Sequence, residues 1–366
     1  MNWQGIIKTY DDALSFSEQF FQGGHYLIDA PAQIEIEKRI SGNISAGATA
    51  VTNCGMAAIG CVFDQLLNYG DTALFSTACY PGTFRLIKEL KEKKNILVRW
   101  VDPGDLNSLI SEIDNGSGPA PKLYFAEVIG NSLRMPVLNW DKTLGILGYY
   151  STKMVVDTTF YPAFKPFLRQ NKDVEVIEVA SLTKWETLHD RVAGGRISGS
   201  ESFIRSIKDS SYYRQVVMQP IVAERIDFVR GLLKFHTISA KTTDAAIELE
   251  RSKAVQSVYY PGLNSHPDHE LIRTQCYGAA GGIIYAVFKD EKSAAYLTDL
   301  LGLSENWSIA ASFAGEDWRI FPFIGELAKY SPAENGVVVR ISVGEKTEGL
   351  EDLKDALKNV EALINH

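Results

Sequence analysis

Two residues of this chain have types and settings that can do chemistry together. Lys184 lies in Ser181-Leu182-Thr183-Lys184-Trp185, just after an apolar β-branched run, and Asp157 closes an earlier run of the same kind. A lysine amine can form a Schiff base with an aldehyde, and a carboxylate can keep a pyridine nitrogen protonated so that the ring serves as an electron sink. The pair therefore suggests pyridoxal 5'-phosphate (PLP) as cofactor. Each alone is weak evidence. Ser-x-Thr-Lys by itself is usually a solvated strand end, and Asp157 by itself is more often the N-cap of a following helix.

The elements that must position these residues follow from the hydrophobic pattern. Ala48-Thr49-Ala50-Val51-Thr52 reads as a strand, and the apolar stripe from Met56 to Tyr69 as a helix closed by Gly70. Further strands are expected at 72–76, 96–101, 123–128, 153–158 and 174–180, with intervals long enough for helical crossovers. This predicts an α/β fold with a mostly parallel sheet, whose ligands collect outside the carboxyl ends of the strands. Asn131, Asp157 and Lys184 would all fall there. The turn Asn53-Cys54-Gly55-Met56 leads a strand into a helix, so its free amides can cradle a phosphate, although one Gly at such a turn is more often simple turn geometry.

Residues 1–48 read as an N-terminal arm, 49–235 as the cofactor-binding large domain and 236–366 as a smaller α+β domain. The last strand alternates Val337, Val339, Ile341 and Val343 with Val338, Arg340 and Ser342, and the following helix keeps Leu350, Leu353, Leu357, Val360 and Ile364 on one stripe.

With 366 residues and 45% hydrophobic content, the chain can bury a sizeable core. A net charge of -8 argues against a nucleic-acid partner and leaves a small molecule as the expected ligand. Cys54, Cys61, Cys79 and Cys276 have neither metal-ligand spacing nor the density of a disulfide scaffold, so no metal is expected and the thiols read as reduced. The sequence shows no leader-like N-terminus and no membrane-length apolar run, and a cytoplasmic location is the resulting expectation.

Several segments in unbroken order then resemble one family, the cystathionine γ-synthase and methionine γ-lyase group of Cys/Met-metabolism PLP enzymes. Cys54-Gly55-Met56-Ala57-Ala58 is similar to its Ser-Gly-Met-Ala-Ala, Tyr80-Pro81-Gly82-Thr83 to Tyr-Gly-Gly-Thr, and Glu127 through Asn131 to Glu-x-Pro-x-Asn. Val156-Asp157-Thr158-Thr159-Phe160 resembles Val-Asp-Asn-Thr-Phe. Thr183-Lys184, His189 and Gly194-Gly195 stand at family spacing, and Ser312-Phe313 and Val339 to Gly344 resemble Ser-Leu and Val-Arg-Leu-Ser-Val-Gly.

The resemblance implies a fold-type I, aspartate aminotransferase-like architecture and a role for each matched residue. Gly55, Met56, Ser181 and Thr183 would hold the phosphate, Asp157 the pyridine nitrogen and Asn131 the phenolic oxygen. Tyr80 would stack on the ring and take part in proton transfer at the leaving group. Arg340, assisted by Ser312, would clamp the α-carboxylate of an amino-acid substrate, and Lys184 would be the Schiff-base lysine. A homodimer or homotetramer is implied as well.

The implied activity is β/γ-elimination or γ-replacement on an amino acid with a sulfur or oxygen leaving group. Two departures motivate an alternative. The family's upstream Tyr-x-Arg and Asn-Pro-Thr elements are replaced by His25-Tyr26-Leu27-Ile28-Asp29-Ala30-Pro31-Ala32, without an arginine. Arg191 stands in place of an aspartate, and Trp185 in place of a tyrosine. The alternative is a transferase of specialised metabolism that joins a vinylglycine-type intermediate, for example from S-adenosylmethionine, to an unusual acceptor. An aminotransferase and a non-catalytic PLP-fold binding protein are weaker alternatives.

Overall fold

A computed structural model describes residues 29–115, 118–169, 172–187, 192–325 and 335–364. The β-branched and aromatic runs form a seven-stranded sheet: β1 (Ala48–Thr52), β2 (Thr72–Ser76), β3 (Leu97–Val101), β4 (Pro121–Glu127), β5 (Lys153–Asp157), β6 (Val176–Ser181) and β7 (Gly195–Gly199). Their spatial order is β1-β7-β6-β5-β4-β2-β3. Strands β2 to β6 pair in parallel, and β7 runs antiparallel to both β1 and β6. Parallel strands need crossovers and are covered on both faces, which explains their nearly continuous apolar character. On one face Phe63, from the helix Gly55–Leu66, meets Phe75 and Phe125 edge-on at 5.4 and 5.3 Å. On the other, Leu74, Tyr124, Met154 and Val156 belong to a core that continues into the C-terminal part of the chain.

That part carries a second sheet of β8 (Val255–Tyr259), β9 (Ile283–Phe288), β10 (Trp307–Ile309), β11 (Trp318–Pro322) and β12 (Val337–Ser342), in the order β10-β11-β12-β9-β8. The helix Gly349–Ile364 buries Leu353, Leu357 and Val360, three members of its apolar stripe.

One strand of the large sheet is absent from the sequence expectations. Strand β7 was not foreseen, because Gly-Arg-Ile-Ser-Gly has a single β-branched apolar residue; all five of its residues are nevertheless buried. Gly195 is required there, since a Cβ would come within 2.3 Å of the Cys54 carbonyl oxygen. The change of texture near residue 235 falls inside one long amphipathic helix, Phe228–Arg251. Part of the expected arm is also built into the fold. The helix Pro31–Ile44 packs on β1, with the Gln33 amide donating to the Met218 carbonyl and the Val51 N–H donating to Glu37 at 3.2 Å. None of the helices among the described residues is long and apolar enough to cross a membrane.

Candidate active site

Because β4, β5 and β6 run in parallel, their carboxyl ends deliver Glu127, Asp157 and Ser181 side by side to one edge of the sheet. The turn after β6 adds Thr183 and Lys184, the turn after β1 adds Cys54, Gly55 and Met56, and Tyr80 begins the helix Pro81–Lys94. From the C-terminal part come Ser312 and Phe313, in the loop between β10 and β11, and Arg340 on β12. These residues line one cavity of about 430 Å³, and all ten site residues expected from the sequence are on its wall. His189, Arg191, His25 and Tyr26 lie outside the described residues. A larger groove, about 580 Å³, runs beside Asn53, Arg214 and Met218, but its described lining carries no carboxylate, lysine, histidine or cysteine.

Gly55 is fitted to its place: a Cβ there would lie 2.8 Å from the Ser181 Cβ, so the helix start can approach β6 this closely only as glycine. The Asp157 carboxyl is buried and accepts the Thr159 N–H at 2.8 Å, while the Ser181 N–H donates to the Thr159 hydroxyl at 2.9 Å. Burial raises the Asp157 pKa to about 6, against the hydrogen bonds from Thr159 that lower it. Glu127 is pushed well above the ordinary carboxyl range, first by burial and then by the Asp157 charge; it accepts the Tyr80 N–H at 2.5 Å. The Tyr80 ring is about half exposed at the rim. The Thr183 hydroxyl, expected to face a phosphate, is engaged by the Gly194 backbone, whose N–H donates to it at 3.1 Å.

On the opposite wall the Lys184 Nζ donates to the Ser312 hydroxyl at 3.2 Å and stands 5.2 Å from the centre of the Phe313 ring. The Arg340 guanidinium faces the same ring at 6.0 Å, a pair of cation–π contacts that turns both cations toward one spot. The Arg340 Nε is buried and has no hydrogen-bond acceptor among the described residues. Tyr285, paired with Arg340 across β9 and β12, donates its hydroxyl to the Asn131 Oδ1 at 3.4 Å.

Comparison with known proteins decides the family. The family model for "Cys/Met metabolism PLP-dependent enzyme" matches residues 16–360. The chain belongs to this family. A canavanine gamma-lyase from Pseudomonas canavaninivorans is 31% identical over 69% of this chain and 63% of its own length. The chloroplastic cystathionine gamma-synthase 1 of Arabidopsis thaliana is 28% identical over 98% of this chain and 64% of its own. The chain thus spans just under two thirds of these two relatives. A solved cystathionine gamma synthase from Xanthomonas oryzae pv. oryzae, in complex with cystathionine, superposes with a TM-score of 0.81 at 22% identity, covering 93% of this chain and 89% of that one, and shares the fold-type I architecture.

PLP, the cofactor of the Cys/Met-metabolism family, fits the residues present. A helix start with no side chain at Gly55 provides the room and the amides that a phosphate needs, a buried acid at Asp157 matches a protonated ring nitrogen, and Lys184 opens onto the same space.

Several residues around this cavity have no functional mark in the sequence. Tyr285 is visible only as a neighbour in space, and Thr159 and Phe313, though inside matched segments, carry no assigned role there. A buried charged cluster was also missed. The Arg196 guanidinium on β7 donates to Glu178 at 2.7 Å, to Glu186 at 3.0 Å and to the Thr158 hydroxyl at 3.2 Å, and its face covers the Phe228 ring. The signal available was a lone acid, Glu178, inside the otherwise apolar, buried run of β6.

Proposed function

We propose that this protein is a PLP-dependent lyase or transferase that carries out β/γ-elimination or γ-replacement on an amino acid bearing a sulfur or oxygen leaving group. One observation carries the proposal: the lysine, the acid and the carboxylate-binding arginine, on three elements distant in sequence, line a single cavity. The two relatives described above, named for canavanine gamma-lyase and cystathionine gamma-synthase, support a γ-type reaction.

When bound, PLP supplies an electron sink for the charge left at the substrate α-carbon. Gly55 and Met56, through their amides, and Ser181 and Thr183, through their hydroxyls, would hold the phosphate. Asp157 would hold the pyridine nitrogen, Asn131 the phenolic oxygen, and Lys184 the aldehyde carbon. Tyr80 would lie over the ring, with its phenol at the leaving group. Arg340 orients the substrate α-carboxylate through a two-pronged ion pair, and the Ser312 hydroxyl assists. The Lys184 Nζ removes the α-proton, and in the γ-type reaction the second proton is removed from the β-carbon. A homodimer or homotetramer in the cytoplasm belongs to the same proposal, and light scattering checks the assembly.

The deciding experiment incubates the PLP-loaded protein with cystathionine, canavanine, O-acylated homoserine and S-adenosylmethionine while keto acid, ammonia and thiol are followed. Keto acid with ammonia identifies elimination, and a new substituted amino acid identifies replacement. Protein that takes up no PLP, or that turns over none of these amino acids, refutes the assignment.

A further inference from the structure

Beneath the cavity, on the face of the sheet opposite Asp157, three ionisable side chains are completely enclosed. Arg196, Glu178 and Glu186 are each at most 2% exposed, in the interior of a chain where most charges are at the surface. Their connections run in two directions. Through Glu178 the guanidinium reaches Thr158, whose hydroxyl donates to the Glu178 Oε1 at 2.6 Å and which directly follows Asp157. Through Glu186 it reaches the turn after β6, two residues beyond Lys184, where the Glu186 carbonyl also accepts the Asp227 N–H at 2.8 Å. One planar, always-charged group thus contacts the strand end that bears the acid and the turn that bears the lysine.

We propose that Arg196 is a positioning residue that staples the Asp157 strand end to the Lys184 turn and so sets the spacing between the two groups that hold the cofactor. Buried ion pairs are a poor means of gaining stability, because desolvation offsets most of the Coulomb gain and an apolar replacement of matching volume is often as stable. What such a pair does contribute is a fixed geometry. Arg196 approaches each carboxylate with a different nitrogen, Nη2 to Glu178 and Nη1 to Glu186, so the angle between the two arms is set by the guanidinium itself. Neither arm touches the cavity, and the guanidinium acts only through Thr158 and the backbone of the turn. The inference rests on the assignment of Asp157 and Lys184 as cofactor-holding residues.

The test uses the PLP-loaded full chain and two readouts besides turnover: the PLP dissociation constant and the fraction of Lys184 fixed to PLP by borohydride. In the triple variant R196M/E178L/E186L the cluster is replaced by apolar side chains of similar size, so the fold is expected to keep its thermal midpoint while PLP affinity falls about tenfold or more and Lys184 capture falls with it. R196K supplies a point charge without the fork and recovers only part of the loss. E186Q, which keeps the shape and weakens only the arm to the lysine turn from a charge-assisted to a neutral hydrogen bond, is expected to cost about threefold in affinity and serves if the triple variant does not fold. PLP affinity and Lys184 capture within about twofold of wild type in both the triple variant and E186Q overturn the proposal. D157N is measured in parallel. If D157N binds PLP as wild type does, the assignment of Asp157 fails and the staple fails with it; if D157N loses PLP while the staple variants keep it, only the staple fails.

Discussion

The two walls of the cavity are built in different ways. On the wall formed by the large sheet, the Asp157 carboxyl and the Thr159 hydroxyl accept backbone N–H groups, of Thr159 at 2.8 Å and of Ser181 at 2.9 Å, and Gly55 is packed against Ser181 too closely for any side chain. The wall formed by the small sheet relies on side chains. Ser312 meets Lys184 at 3.2 Å, and Arg340 faces Phe313 at 6.0 Å with its buried Nε unsatisfied among the described residues. Backbone-fixed groups suit a cofactor of constant shape, whereas a charged side chain with bonding capacity to spare suits a ligand that comes and goes. Cofactor retention and substrate capture should therefore be separable by mutation.

The largest expected effect joins both walls. Lys184 touches Ser312 on one side and rises from the β6 turn on the other, and it is the proposed base. Lys184→Ala should lower kcat by about a thousandfold or more, with borohydride no longer fixing PLP to the chain. Retention of wild-type kcat in this variant would remove the lysine from the chemistry.

Next in size is a change that should move one wall and leave the other. Arg340→Ala is expected to raise KM by about a hundredfold, since the two-pronged contact with the α-carboxylate is lost, while PLP affinity stays near wild type. A large loss of PLP affinity in this variant would erase the distinction between the walls.

How legible each wall was in the sequence follows from the same difference. The large-sheet wall rests on local patterns: a β-branched run ending in Asp157, another ending in Ser181, and a glycine where a strand enters a helix. Each leaves a mark within a few residues. Arg340 was placed on the polar positions of an alternating strand, and its strand is β12 as expected. Tyr285 carries no local mark, since an aromatic residue beside a site has the same neighbours in sequence as one in the core. The Arg196 cluster was invisible for a stronger reason. Its charge is balanced by residues on β6 and on the lysine turn, and the strand that brings it there has almost no β propensity of its own; pairing on both edges holds it in place.

The smallest expected effect concerns that cluster. Two carboxyls share one guanidinium, and burial raises the Glu186 pKa to about 7 against the pull of Arg196. A carboxyl with a raised pKa in the folded state binds more protons there than in the unfolded chain, so its effect on stability becomes less favourable as pH rises from the ordinary 4.5 to about 7 and is constant above that. Asp157 acts in the same direction between 3.8 and about 6, so the comparison must be made against a variant. Glu186→Gln removes the titration and keeps the shape. Urea unfolding of the PLP-free protein should show the variant gaining on wild type across pH 4.5 to 7, with no further change in the difference above about 7. Parallel curves over that window would mean that Glu186 titrates alike in the folded and unfolded chain, and that the interior beneath the large-sheet wall tolerates its charge.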